Sequence, residues 1–550
     1  MLSDRARSPG RHGWSPITLA LLGCLWMASA GNLALWRALH RLGALDGWRG
    51  AALAAGVALA IGAALALVLA PFAWRRSLKP ALALLLLAAA AGSHFMWAYG
   101  IVIDSTMLAN VLQTDLHEAR DLLSGRLLLT LTLLGIVPAW WIVRAPVDWG
   151  RWPGRLRANL LLFAGALAVL VGTVLAAYQP LAALSRGHRE LRHLVNPLNS
   201  LQALAKLGVG RPAQATTRQP LGTDARIAAL AGRTDRAPLL VLVLGETARA
   251  DHFALNGYAR PTTPALAALD VTSQRNAWSC GTSTAASVPC MFSHLAREEF
   301  DSRDADHDTL VDVLQHAGLA VLWLDNQAGC KGVCDRVPNV NTSALRHPTL
   351  CPDGECLDEI LLDGLDKRLA ALPVERRARG TVLVLHQMGS HGPAYHRRSP
   401  PDAKHFQPEC RSVALQDCEH PALVNAYDNS IAYTDRFLAA TIRWLQARGE
   451  AADSALLYVA DHGESLGEHN LYLHGLPYAV APDVQKHVAW ISWFSPAFAR
   501  RSGVAAGCLQ QRRDERLGHE HYFHSVLGLL DVQTSAYRPE RDFYRACRQP

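Results

Sequence analysis

Residues 454–463 read SALLYVADHG: a short apolar run that ends abruptly in a carboxylate and an imidazole. A continuous apolar run of this length suits a strand buried on both faces of a mostly parallel sheet. The same pattern recurs in APLLVLVLGE (237–246), AVLWLDN (320–326) and GTVLVLHQMG (380–389). Helical spacing fills the intervals at 305–317, 357–372 and 424–448, and no internal repeat is visible. The sum is an α/β domain with helices on both sides of its sheet.

In such sheets ligands sit outside the carboxyl ends of the strands. Glu246 ends one run, His386 and His391 follow another, and Asp461 and His462 end a third. Two carboxylates and an imidazole form an O/O/N set that Zn²⁺ accepts, with a fourth position left for a reacting group. Any one of these residues alone reads as a strand-end cap or a solvated carboxylate. Three such strand ends in one domain move the reading toward a metal.

The stretch SCGTSTAASVPC (279–290) places four hydroxyl side chains between two cysteines. A Thr or Ser hydroxyl is a poor nucleophile until a base or a metal helps remove its proton. Gly281-Thr282-Ser283-Thr284 could open a helix, whose free N–H groups favour an anionic phosphate. A Ser/Thr-rich surface loop pinned by a disulfide is the competing reading, and the residues alone leave both open.

The first third of the 550-residue chain differs from the rest. Apolar runs at 16–36, 51–73, 80–100, 127–143 and 158–178 each approach the ~20 residues needed to cross a bilayer as a helix. Arg5, Arg7 and Arg11 precede the first run. Arg75, Arg76 and Lys79 follow the second, and Arg144, Arg151, Arg155 and Arg157 follow the fourth. The positive-inside rule then puts the N-terminus in the cytoplasm and everything after residue 180 outside. Ala28-Ser29-Ala30 resembles a signal-peptidase site, but the apolar pattern continues past it, which favours an uncleaved anchor. The net charge of +7 is mild, and no zinc-finger spacing or basic block supports a nucleic-acid partner.

Of eleven cysteines only Cys24 lies in the membrane region. The other ten pair by proximity as Cys280 with Cys290, Cys330 with Cys334, Cys351 with Cys356, Cys410 with Cys418 and Cys508 with Cys547. An even set confined to the outer part reads as a disulfide framework in an oxidising compartment. A metal site at Cys330 and Cys334 is the competing reading. Residues 185–207 read as an amphipathic helix at the membrane surface, or as a packing helix of the outer domain. Residues 208–236 read as a polar linker. The organisation expected is a transmembrane domain at 1–180, an interfacial helix and linker at 181–236, and an outer α/β domain at 237–550.

VLGETARADH, SCGTSTAASVPCMFS, HQMGSHGPAY and YVADHGESLGE followed by YLHGLPYA stand in that order behind the five spans. Together they resemble the phosphoethanolamine transferases of Gram-negative bacteria, above all the lipid A enzymes that include the colistin-resistance transferases. The resemblance covers essentially the whole chain. It implies an alkaline phosphatase/sulfatase-like outer domain behind a five-helix transmembrane domain. It also implies Thr284 as nucleophile, and Zn²⁺ held by Glu246, Thr284, Asp461 and His462. Lys331, His391, Glu464 and His474 would surround the substrate phosphate, with His391 or His474 protonating a leaving group or holding a second metal. Asn110, Thr114 and Glu118 are spaced by four and share one helical face; an ordinary polar face is the plain reading. The resemblance instead assigns them to the lipid substrate site.

The implied reaction moves phosphoethanolamine from phosphatidylethanolamine to a phosphate of lipid A through a covalent threonine intermediate, releasing diacylglycerol. It takes place at the inner membrane with the catalytic domain in the periplasm, by a monomer without nucleic acid. Lower envelope charge and resistance to cationic peptides such as polymyxin would follow. Two departures from the family pattern stand out: position 328 is Ala where some relatives have Ser, and His469 adds an imidazole to the rim. Transfer to an inner-core sugar or another glycan, transfer of phosphoglycerol, and a non-enzymatic membrane sensor are the alternatives.

Overall fold

The computed structural model describes residues 13–113, 119–120, 122–209, 218–228, 236–351, 354–449 and 452–549. The chain divides into two compact units, Met1–Leu108 with Leu123–Gly210, and Ala109–Leu122 with Arg211–Pro550. The first unit thus extends past residue 180 to the helices that follow the last span, and the short segment Ala109–Leu122 groups with the second.

Five helices of the first unit are long and apolar enough to cross a membrane: α1 (Pro16–Arg41), α2 (Gly47–Phe72), α3 (Leu78–Ala98), α4 (Gly125–Arg144) and α5 (Trp152–Ala176). Helix α1 runs through Ala28–Ala30 with only a 3₁₀ turn at Ala30–Asn32. A polar clasp lies within this apolar unit. Asn32 Nδ2 donates to Met27 O and Asn196 O, and the Asn196 amide donates back to Asn32 Oδ1. Asn196 Nδ2 donates to Gly31 O and Ala89 O. Each buried donor there meets a carbonyl or amide oxygen, which an apolar interior demands.

The single amphipathic helix expected over 185–207 is instead broken. A helix at Tyr178–Gly187, a 3₁₀ turn at Arg189–Leu194 and a helix at Leu198–Val209 take its place. Pro197 accounts for the second break, between Leu194 and Leu198, since it donates no N–H and drives the preceding residue out of the helical region.

The second unit is built on an eight-stranded sheet. Its strands are β1 (Pro238–Gly245), β2 (Val271–Trp278), β3 (Ala320–Asp325), β4 (Asn339–Asn341), β5 (Thr381–His386), β6 (Asp453–Ala460), β7 (His487–Phe494) and β8 (Leu517–Gly518). They lie in the order β8-β2-β7-β6-β1-β5-β3-β4. Only β7 runs against its neighbours; the other seven share one direction. Every residue of β1 and β6 is buried, which explains their unalternating composition.

The register sets the site. Gly245 lies opposite Ala460, Leu244 opposite His386, and His386 opposite Asp325. The residues that follow β1, β3, β5 and β6 therefore emerge side by side at one edge. Strand β2 ends at that same edge and leads into α6 (Thr284–Met291). The long helix α7 (His420–Gln446) braces the Glu246 loop: its Tyr427 hydroxyl donates to Thr247 O and accepts the Arg249 amide.

Candidate active site

Four side chains converge at the carboxyl edge. Thr284 Oγ1, at the first residue of α6, lies 3.3 and 3.2 Å from the two carboxylate oxygens of Glu246 and 3.5 Å from His462 Nε2. His462 Nε2 is 3.4 Å from Glu246 Oε1 and 3.2 Å from Asp461 Oδ2. Glu246, Asp461 and His462 are 0% exposed and Thr284 is 3%. One ligand atom from each of Glu246, Asp461 and His462 lies within 4.8 Å of the others.

The backbone orients each group. His462 Nδ1 donates to Gly463 O at 2.9 Å, which turns Nε2 toward the carboxylates. Asp461 Oδ1 accepts the amides of Thr247 and His462, whereas Oδ2 is buried with no hydrogen-bond partner. Gly389, at φ 52°, packs so closely that a Cβ there would sit 2.7 Å from Glu246 O. Only glycine combines that conformation with that approach.

Two carboxylates buried side by side need positive charge. Burial raises Glu246, but the His462 hydrogen bond and the field of His462, His391 and His474 hold it well below the usual carboxylate range. Burial and the neighbouring Glu246 push Asp461 up to about 7. Burial lowers His462, yet Asp461 and Glu246 outweigh it and raise the imidazole to about 10. The protein alone thus gathers a proton where a divalent cation could sit. The oxygen-rich donor set, the unpartnered Asp461 oxygen and the preset histidine Nε2 all fit Zn²⁺.

The nucleophile loop is pinned from several sides. Cys280 and Cys290 form a disulfide, and the Cys280 amide donates to His519 Nδ1. Thr282 Oγ1 donates to Leu476 O, and the Tyr478 hydroxyl donates to Ser279 O. Of the four hydroxyls between the cysteines, Thr284 is the one hydrogen-bonded to Glu246. The remaining bridges join Cys330 to Cys334, Cys351 to Cys356, Cys410 to Cys418 and Cys508 to Cys547.

A second layer stands beside this centre. His474 lies 4.2 Å from His462 and 5.7 Å from His391, ring centre to ring centre. His474 Nδ1 bonds Glu464 Oε2 at 2.8 Å, and the Tyr395 hydroxyl donates to Glu464 Oε1. Burial raises Glu464 to about 8 and lowers His474 to about 3. The pair shares one hydrogen bond at Nδ1, which leaves Nε2 of the ring to face the centre. Lys331, at φ 53°, donates its amine to Ala328 O on its own loop rather than to the centre. Asn110 is half-buried on the helix Ser105–Gln113; Thr114 and Glu118 lie outside the described residues. The sequence reading missed Tyr395 and Gln327. The latter is 1% exposed, and its Nε2 donates to Glu246 Oε2 at 3.2 Å. Their only sequence signal is adjacency to HGPA and DN at strand ends.

Comparison with known proteins agrees with this architecture. Residues 238–532 match the family model described as Sulfatase, and residues 61–211 match that described as Phosphoethanolamine transferase EptA/EptB. The phosphoethanolamine transferase EptA of Salmonella typhimurium is 39% identical over 500 residues, 88% of each chain. The phosphatidylethanolamine transferase Mcr-1 of Escherichia coli is 39% identical over 482 residues, 86% of this chain and 87% of that one. The integral membrane lipooligosaccharide phosphoethanolamine transferase A of Neisseria meningitidis superposes with a TM-score of 0.91 at 35% identity. That match covers 97% of this chain and 99% of the other.

Proposed function

This chain belongs to the phosphoethanolamine transferase EptA/EptB family, and from that premise we propose that it moves phosphoethanolamine from phosphatidylethanolamine to a phosphate of lipid A through Thr284. It is an integral inner-membrane protein with five spans and its large domain in the periplasm. The observation that carries the reading is Thr284 Oγ1 at the first residue of a helix, 3.2–3.5 Å from the buried Glu246 carboxylate and His462 Nε2.

Glu246, Asp461, His462 and Thr284 would hold Zn²⁺. When bound, the ion lowers the hydroxyl pKa and polarises a phosphoryl oxygen. With its hydroxyl proton given up to solvent when the cation is held, Thr284 Oγ would attack phosphorus, the bond from phosphorus to the diacylglycerol oxygen breaks, and that oxygen takes a proton in return. His474, oriented by Glu464, and His391 are the nearby imidazoles that would supply it. The N-terminus of α6 stabilises the added negative charge. In the second half an oxygen of the acceptor phosphate attacks the same phosphorus and the Thr284 oxygen leaves. Burial of the set limits the access of water, which would favour transfer over hydrolysis. The product carries an ammonium beside the modified phosphate and attracts cationic peptides such as polymyxin less strongly.

The test is mass spectrometry of lipid A from cells expressing the wild-type chain or Thr284→Ala. A phosphoethanolamine-sized increase with wild type only is expected. An adduct on a core sugar instead would keep the chemistry and move the acceptor. No adduct on any envelope component would refute the transferase reading.

A further inference from the structure

At the end of β3 one carboxylate gathers four donors. Asp325, 4% exposed, accepts the Gln327 and Gly329 amides on Oδ1 at 3.0 and 3.1 Å. Its Oδ2 accepts the Trp323 indole N–H and bonds His386 Nδ1, both at 2.9 Å. Burial opposes its charge, but His386 holds it below the usual carboxylate range. The loop folded around Asp325 turns Gln327 inward. There Oε1 accepts the amide of Ala328, and Nε2 donates to Glu246 Oε2 at 3.2 Å. The first of these contacts fixes the sense of the side-chain amide, because an oxygen facing an N–H leaves the NH₂ for the carboxylate.

Glu246 is consequently gripped once on each oxygen. Thr247 Oγ1 donates to Oε1 at 2.7 Å and Gln327 Nε2 to Oε2. Each oxygen keeps acceptor capacity for the centre, where Thr284 and His462 approach. A glutamine suits this place for a physical reason: it orients the carboxylate with one N–H but brings no charge. A lysine or arginine there would neutralise Glu246 and compete with a cation.

We propose that Gln327, held in place by Asp325, is a positioning residue for Glu246 that presents its carboxylate to the metal. The proposal rests on the zinc reading above. Partners in the layer behind metal ligands change metal affinity by about 10–100-fold when removed.

The experiment uses the full chain in detergent, stripped of metal, with zinc affinity read by competition against a chromophoric chelator. Gln327→Leu keeps the bulk without the donor, and is expected to weaken zinc about 10-fold, with the melting temperature of the metal-free chain within about 2 °C of wild type. Asp325→Asn is expected to weaken zinc comparably and also to lower that melting temperature. Gln327→Leu binding zinc as tightly as wild type would overturn the proposal. So would a loss of affinity in Gln327→Leu matched by a large fall in that variant's metal-free stability, since that is a packing defect. A wild-type chain that binds no zinc would instead overturn the metal reading itself, and is distinguished by failing before any variant is compared.

Discussion

Strand β6 begins on Asp453 and is followed at once by Asp461, and both aspartates are fully buried. At the opening end the guanidinium of Arg501 lies 3.5 Å from Asp453 Oδ2, so charge meets charge. At the closing end the nearest carboxylate neighbour is a second acid, Glu246, with a histidine between them. The same side chain thus stands at the two ends of one strand, equally buried, with opposite electrostatic solutions. A buried acid matched by a fixed arginine serves the fold. A buried acid set beside another acid strains the fold until a proton or a cation arrives, and that strain marks the functional edge.

Substituting the two aspartates should separate these roles. Asp461→Asn removes a proposed metal ligand, so zinc affinity and transfer should both fall by at least about 100-fold, beyond the range seen for residues behind the ligands. The metal-free chain should be no less stable than wild type, because the repulsion with Glu246 is relieved. Chelator competition, lipid A mass spectrometry and metal-free thermal unfolding read the three quantities. Retained zinc affinity in Asp461→Asn would break the comparison.

Asp453→Asn should do the reverse. It leaves the buried Arg501 without its carboxylate and should cost about 3 kcal/mol of stability, as broken buried pairs do. Zinc affinity measured below the new melting temperature should match wild type. Denaturant unfolding of the full chain checks the first expectation. A loss of zinc affinity in this variant would show that the two ends of β6 are coupled, contrary to the contrast drawn between them.

His524 supplies a third case, a buried titratable group satisfied by neutral partners. Its Nε2 bonds His294 O at 3.2 Å and its Nδ1 accepts the Arg538 amide at 3.1 Å. Burial is the main cause that lowers this imidazole to about 4. A histidine depressed in the folded state contributes stability that is whole above its unfolded pKa, about 6.5, and lost as pH falls toward its folded value. Between pH 7 and pH 4 the wild type should therefore lose about 3 kcal/mol more than His524→Asn. Unfolding free energies of the two chains at both pH values provide the measurement. Parallel losses would mean that His524 does not report its burial.

Much of the fold and of the functional edge is legible in the sequence. Strands β1, β3, β5 and β6 are continuous apolar runs, and the charged residues that end them announce the edge they share. The spans are legible for the same reason, since a bilayer demands length and apolarity together. Strands β2 and β7 were not read. VTSQRNAW mixes polar residues into a mostly buried strand, and HVAWISWF runs antiparallel to its neighbours, which no local pattern specifies. Glu246, Asp461 and His462 were found because they sit directly after strands. Gln327 and Tyr395 were not, because their roles depend on where other segments bring Glu246 and Glu464. Residues that act through a partner distant in the chain carry no spacing signal.

The smallest effect should come from Thr247, the residue that touches both proposed carboxylate ligands. Its amide donates to Asp461 Oδ1 at 3.1 Å and its hydroxyl to Glu246 Oε1 at 2.7 Å, from a backbone held at φ 57°. A β-branched residue in that region is strained. Thr247→Gly would release about 1 kcal/mol of that strain and keep the amide bond, while losing the hydroxyl bond worth about 1 kcal/mol. The metal-free stability should thus change by less than about 1 kcal/mol. Zinc affinity should fall only about 3-fold, less than for Gln327→Leu, because one of the two grips on Glu246 and both grips on Asp461 Oδ1 remain. Chelator competition on the two variants side by side ranks them. If Thr247→Gly proves the more damaging, the orientation of Glu246 is set by its own loop and its partner across the sheet matters less.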